Sequence, residues 1–196
     1  VEARLVSEAL VTGDLDHPNI VPVHDLGRDD AGRLYMVMKL VRGTPWQRLL
    51  HPTEDDPEAV ERAAGLGLRD HVEVLLKVAD AVAFAHARGI VHRDLKPENV
   101  MVGAYGEVLV MDWGLALDVS PAGRTARKAQ HRSDARGSAG TPSYMSPELA
   151  LADYERIGVG SDVYLLGAIL YELLTGGPPH VGRDVFEVLS AAARGI

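Results

Sequence analysis

The chain has 196 residues, 46% of them apolar and 24% charged, the composition of a globular domain with a core to bury, which excludes disordered and low-complexity classes. Its 28 acidic residues outnumber 20 basic ones for a net charge of −8, the wrong sign for a protein that grips a phosphate backbone by counterion release, so no nucleic-acid partner is expected. The absence of cysteine removes disulfides, thiolate metal sites and a cysteine nucleophile, and the 8 scattered histidines offer no zinc pair.

Taken in chain order, Leu5, Ala9 and Thr12, flanked by Val6 and Leu10, carry the 3.6-residue period of a helix. It must end near Asp16, because His17 precedes Pro18. No signal peptide explains a first residue that is valine at the start of mid-helix sequence, so the chain is expected to be a fragment. Two runs rich in valine and methionine, 21–26 and 34–41, read as strands, with the cluster from Gly27 to Gly32 as a hairpin loop. Thr44 followed by Pro45 predicts an N-cap and the first position of a short helix through Leu50. Residues 51–70 are polar and acidic, a solvated excursion with one weak helical turn.

From His71 to Arg88, Leu75, Val78, Ala79, Val82 and Ala83 recur at helical spacing, and Gly89 stands where a left-handed cap belongs. Short strands are expected at 90–91, 100–102 and 107–111, while 115–140 lacks a period and reads as mobile. Residues 161–175 form a strongly apolar helix closed by Gly176-Gly177-Pro178-Pro179, expected to be buried nearly all round, and a last helix runs from Asp184 to Arg194. The most apolar stretch, 163–171, is interrupted by Gly167 and stopped by Glu172, well short of the roughly 20 residues that span a bilayer, so no membrane segment is expected in the chain. A helix and strands followed mainly by helices predict two lobes, 1–41 and 42–196, with the joint near Val41 to Gly43.

Four motifs carry chemistry: His92-Arg93-Asp94-Leu95-Lys96-Pro97-Glu98-Asn99 in a loop between short strands, then Asp112-Trp113-Gly114, then Gly140-Thr141-Pro142-Ser143-Tyr144-Met145-Ser146-Pro147-Glu148, then Ser161-Asp162-Val163-Tyr164. In this order they resemble the catalytic loop, the metal-binding Asp-Phe-Gly, the end of the activation segment and the start of the central helix of the eukaryotic-type protein kinases. With His-Pro-Asn-Ile-Val-Pro-Val-His-Asp-Leu-Gly at 17–27 the chain is most similar to the bacterial branch of that family. The resemblance implies an α+β, two-lobed kinase fold truncated at both ends. A partial small lobe of C-helix and two strands spans 1–41, and 42–196 holds the hinge and an incomplete large lobe reaching the G-helix. No glycine-rich strand-turn-strand and no Val-Ala-x-Lys precede Glu8, and the arginine that would pair with Glu148 is missing.

Phosphoryl transfer spreads negative charge over the migrating group, so a protein catalyses it by positioning the nucleophile and neutralising charge. On the family pattern Asp94 accepts or orients the proton of the substrate hydroxyl, and Lys96 places an ammonium on the transferred phosphate. Asn99 and Asp112 supply oxygen ligands to Mg2+, a hard ion that prefers them. A lysine at position 96 implies Ser/Thr rather than Tyr specificity. The resemblance also implies that Glu8 meets the ATP-anchoring lysine and that Met38 is the gatekeeper. The backbone of Lys39, Leu40 and Val41 would hydrogen-bond adenine, with Met101 beneath the base. Asp162 would brace the catalytic loop, Thr141 would bridge Asp94 and Lys96, and Arg93 would await a phosphate for which Ser133 and Ser138 are the nearest upstream hydroxyls.

The implied cofactors are ATP and Mg2+, the implied substrate is a protein bearing Ser or Thr, with autophosphorylation as a further partnership, and the implied location is cytoplasmic. The alternative is a pseudokinase or scaffold module that binds nucleotide or protein without turnover, although such a module has no physical need to keep Asp94, Lys96, Asn99 and Asp112 together. A small-molecule phosphotransferase of the same fold has no use for the 140–148 peptide platform. Trp113 in place of Phe, Ser146 in place of Ala, Lys39 at the hinge and the 51–70 excursion depart from the family pattern.

Overall fold

Helix α1 (Glu2–Asp14) ends where Pro18 requires, and it buries Ala9, Val11 and Thr12 on one face. In the computed structural model residues 2–121, 129–135 and 137–195 are described, so part of the stretch expected to be mobile, 122–128 and 136, lies outside the described residues. Strands β1 (Val23–Arg28) and β2 (Leu34–Met38) pair antiparallel, from Val23 opposite Met38 to Arg28 opposite Leu34. Pairing thus runs through Gly27 and Arg28, which the sequence assigned to the loop. The reason is Asp29, whose carboxylate accepts from the amides of Ala31 at 3.0 Å and Arg33 at 2.9 Å and closes the turn beyond them. At the other end β2 stops at Met38 rather than Val41, because the Lys39 amide turns to the Pro22 carbonyl at 2.9 Å.

Thr44 is not a helix cap. It lies in β3 (Gly43–Pro45), opposite Val102 of β5 (Val100–Gly103), and β5 pairs in turn with β6 (Val108–Val110). A cap requires a free backbone, and strand pairing has claimed that of Thr44; its hydroxyl accepts from Arg62 Nη1 at 2.6 Å. Helix α2 (Trp46–Leu50) starts after Pro45 with no side-chain cap. The excursion holds more than a weak turn: α3 (Pro57–Ala63) is capped by Asp56 and tied down by Arg62, whose Nη2 donates to the carbonyls of Val102 at 3.0 Å and Gly103 at 3.1 Å. Helix α4 (Leu68–His86) begins ahead of His71, because the Asp70 carboxylate accepts from the Gly67 amide at 2.7 Å and caps an earlier start.

A third small sheet joins β4 (Ile90–Val91), β7 (Leu117–Asp118) and β8 (Gln130–His131), with β7 antiparallel to β4 and parallel to β8. Strands of two residues have no period to read, which is why this part of 115–140 showed none. Helices α5 (Pro147–Ala150), α6 (Val159–Thr175) and α7 (Val185–Arg194) follow. α6 is not buried all round: Ser161, Asp162, Leu165, Ala168, Ile169 and Glu172 face inward, while Val163, Tyr171 and Leu174 are exposed. Trp46, Val78, Val82, Val100, Val110, Leu165 and Ile169 belong to one core, in which α4 packs on α6. Each large side chain so buried contributes about 1.5–3 kcal/mol. The chain following α1 is stitched to the same core by a parallel bridge between Ile20 and Val110 and by Asn19 Nδ2, which donates to Val108 O at 2.9 Å. β6 therefore delivers Asp112 to a fixed place. No described helix is long and apolar enough to cross a membrane.

Candidate active site

The loop after β4 has an unfavourable backbone conformation held by a buried carboxylate. Arg93 has φ of +70° and Asp112 φ of +56°, left-handed values that cost a non-glycine residue about 1–3 kcal/mol each. Asp162, at 0% exposure on α6, accepts from the amides of His92 at 2.8 Å and Arg93 at 2.9 Å and from His86 Nε2 at 2.7 Å. His92 packs against Trp113, ring centroids 4.6 Å apart. Its Nδ1 accepts from the Asp94 amide at 3.2 Å, so Nε2 carries the proton that it donates to Met111 O at 3.1 Å. Both nitrogens are engaged with backbone, and His92 has no part in proton transfer.

Asp94, Lys96, Asn99 and Thr141 converge. Thr141 Oγ1 donates to Asp94 Oδ1 at 2.8 Å and accepts from Lys96 Nζ at 2.6 Å, while Lys96 Nζ stands 3.5 Å from Asp94 Oδ2. A turn of 3-10 helix at Pro97–Asn99 brings Asn99 back, so that its Nδ2 donates to the Asp94 carbonyl at 2.8 Å. That leaves Asn99 Oδ1 without a hydrogen bond among the described residues. Gly140 lets the two segments meet. Its φ is +123°, and a Cβ there would stand 2.9 Å from Arg93 O and 3.6 Å from Asp94 Oδ1.

Asp112 faces α1. A Cβ on Gly114 would lie 2.9 Å from Glu8 Oε2, 2.9 Å from Arg4 Nε and 3.2 Å from Asp112 Oδ1, so the three charged groups surround one glycine. Arg4 Nη2 is 3.9 Å from Asp112 Oδ1. Burial first, and then the nearby Asp112 charge, push the Glu8 carboxyl above its ordinary value, with Arg4 working the other way. Arg4 went unnoticed in the sequence, although its position one turn before Glu8 was the available signal.

The hinge residues form a separate group. Lys39, Leu40, Val41 and Arg42 line a hollow of about 390 Å³ with Tyr105 and Leu109, and Leu40 points out at 80% exposure. Met38 ends β2, and Met101 sits within β5 opposite Leu109. The Lys39 amide donates to the Pro22 carbonyl, so one of the backbone groups expected to meet adenine is already engaged within the chain. Arg93 is buried, its Nε donating to Leu115 O. Ser133 is exposed and its amide donates to His131 Nδ1, and Ser138 Oγ donates to Leu149 O at 3.2 Å. Glu148, expected to lack its arginine, has another partner: Ser161 Oγ donates to it at 2.6 Å. Burial raises the Glu148 carboxyl, but that hydrogen bond and its companions outweigh it and hold the group below its usual range.

Residues 1–194 match the protein kinase domain family. The chain is 36% identical over 187 residues to the serine/threonine-protein kinase PknD of Protochlamydia amoebophila, an alignment covering 89% of this chain and 19% of that protein. It is 37% identical over 188 residues to the serine/threonine-protein kinase PknB of Mycobacterium tuberculosis, covering 94% and 27%. Against the probable serine/threonine-protein kinase PknB of Bifidobacterium longum it is 36% identical over 194 residues, covering 95% and 26%. The chain spans 19–27% of the length of these curated relatives. With a match that runs almost from end to end around a loop built to hold Asp94, the chain belongs to the protein kinase domain family.

Proposed function

We propose that the chain is the catalytic part of a serine/threonine protein kinase, moving the γ-phosphoryl group of ATP to a protein hydroxyl. The observation that carries this reading is the convergence of Asp94, Lys96 and Asn99 on Thr141 and on one another. Thr141 holds Oδ1 of Asp94 at 2.8 Å, whereas Oδ2 has longer contacts, to Asn99 Nδ2 at 3.4 Å and Lys96 Nζ at 3.5 Å, and is the oxygen that receives the proton of the incoming hydroxyl as its oxygen attacks the γ-phosphorus and ADP departs. Lys96, held beside Asp94, carries its ammonium to the side where the phosphoryl charge accumulates.

The donor set suits Mg2+ bound together with phosphates. Asn99 has an idle amide oxygen, and Glu8 and Asp112 place two carboxylates against the single guanidinium of Arg4, an excess of negative charge that a cation relieves. Among the described residues no cluster of three acidic or histidine side chains could cage a metal without such phosphates. Bound through Asn99 and Asp112, Mg2+ supplies charge neutralisation at the phosphates.

Residues 1–41 act in this reading as a small lobe carrying Glu8 and Met38, and 42–196 as hinge and large lobe. The Lys39 carbonyl and Val41 amide meet adenine above Met101. A protein bearing Ser or Thr, including a second copy of the same kinase, is the substrate, and the reaction takes place in the cytoplasm. The test is Asp94→Asn in the full-length protein. It should fold, bind nucleotide and lose about 10²–10⁴ in kcat, because an amide cannot take the proton; turnover near the normal value would remove Asp94 from this role.

A further inference from the structure

One buried carboxylate joins the excursion after α2 to the 140–148 segment. Glu172, in the last turn of α6, is 2% exposed. Its Oε2 accepts from the Tyr144 hydroxyl at 2.7 Å, and its Oε1 faces His51 Nε2 at 2.8 Å. Tyr144 lies in the same short segment as Thr141, which holds Asp94 and Lys96. Burial, then Glu172, push the Tyr144 phenol up, so it remains a donor at any working pH. His51 is the first residue beyond α2 and the head of the excursion, with its side chain 38% exposed.

A carboxylate this buried is sustained only while its partners stay in place, since removing one leaves charge facing an apolar interior. Among the described residues His51 is the one basic side chain paired with Glu172. The other charged groups nearby are otherwise engaged or of the wrong sign: Arg48 of α2 pairs with Asp56 at 3.2 Å, Asp55 shares a hollow of about 470 Å³ with His51, and Glu98 adds negative charge near Tyr144. That hollow lies between α2 and the excursion, so His51 is the group in this chain of contacts that the excursion reaches directly.

We infer that His51 is a positioning residue for the protein-substrate platform, fixing Glu172, which fixes Tyr144, and that residues 51–63 thereby set how firmly the 140–148 segment is held. The functional half of this inference rests on the kinase reading, and the structural half does not. The experiment compares His51→Ala with His51→Gln, whose side-chain amide keeps a donor near the place of Nε2, in the full-length protein. Amide hydrogen exchange is measured without nucleotide or substrate, and KM for protein substrate, KM for ATP and kcat are measured alongside.

His51→Ala should speed exchange over 143–146 and raise KM for the protein substrate about tenfold, the equivalent of one hydrogen bond to a charged group. Exchange in β5 and β6, KM for ATP and kcat should hardly move, and His51→Gln should restore most of both effects. Unchanged exchange at 143–146, or an increase spread evenly over the chain, overturns the coupling. Local loosening in a protein that phosphorylates nothing in any form upholds the coupling and refutes the kinase reading instead.

Discussion

Replacing Asp162 by asparagine removes charge and one acceptor from a place shut off from bulk solvent. The carboxylate receives three hydrogen bonds, from His92 N, Arg93 N and His86 Nε2. An amide has one oxygen, so whichever way it faces, its NH2 opposes at least one of the two backbone donors. One buried unpaired N–H costs about 1–3 kcal/mol, and the bond that survives loses its charge assistance, about a further 1 kcal/mol. We expect Asp162→Asn to lose about 3 kcal/mol, a large part of the 5–15 kcal/mol typical of a domain. Urea titration read by the fluorescence of Trp46 and Trp113, both buried, would measure it. The same change frees Arg93 from its left-handed conformation and lets Asp94 drift, so kcat should fall as well. A loss below about 1 kcal/mol with the slope unchanged would refute the assignment of Asp162 as the brace of this loop.

Because burial and Asp112 hold the Glu8 carboxyl above its ordinary value, the folded state favours its protonated form, and the stability this contributes in acid is lost as pH rises through the window just above the ordinary glutamate value of 4.5. Glu8→Gln should therefore gain on the wild type in thermal scans between about pH 4 and pH 7, and parallel curves would contradict it. Trp113 Nε1 is buried without a partner among the described residues, so Trp113→Phe removes a cost of about 1–3 kcal/mol that offsets the smaller ring, and calorimetry should find the variant at least as stable to within about 1 kcal/mol. Gly140→Ala drives a Cβ toward Arg93 O at a φ alanine avoids, so kcat should drop at least about tenfold while nucleotide affinity, followed by titration, stays within about twofold.

The residues proposed to carry the reaction were legible because phosphoryl transfer demands particular side chains at short, contiguous spacings, and Asp94, Lys96 and Asn99 lie within six consecutive residues. The Asp162 brace was legible only through family pattern, since its partners stand 70 and 69 residues away. What escaped depends on encounters between remote segments. Thr44 looks like a cap until Val102 arrives to pair with it. Glu148 looks unpartnered until the first turn of α6 brings Ser161 to it. His51 reads as a loop histidine, and nothing in its neighbourhood along the chain announces Glu172, 121 residues on. Local preference chose wrongly at 43–45 because pairing outweighs a single cap, and chose well at Gly176, where a left-handed residue is all that ending a helix requires.

The stitch between Asn19–Ile20 and β6 makes the C-terminal end of α1 the fulcrum of a lever. Glu8 lies six residues from Asp14, a radius of about 9 Å at 1.5 Å per residue. Tilting α1 by about 10° about that fulcrum carries Glu8 only about 1.5 Å, the difference between a direct hydrogen bond and a broken one. Asp112 does not travel with it, being mounted on the strand to which the fulcrum is fastened. A small rotation of the β1–β2 hairpin and α1 about that point would therefore change the spacing of Glu8 and Asp112 by an ångström or two while Asp112 stays in place.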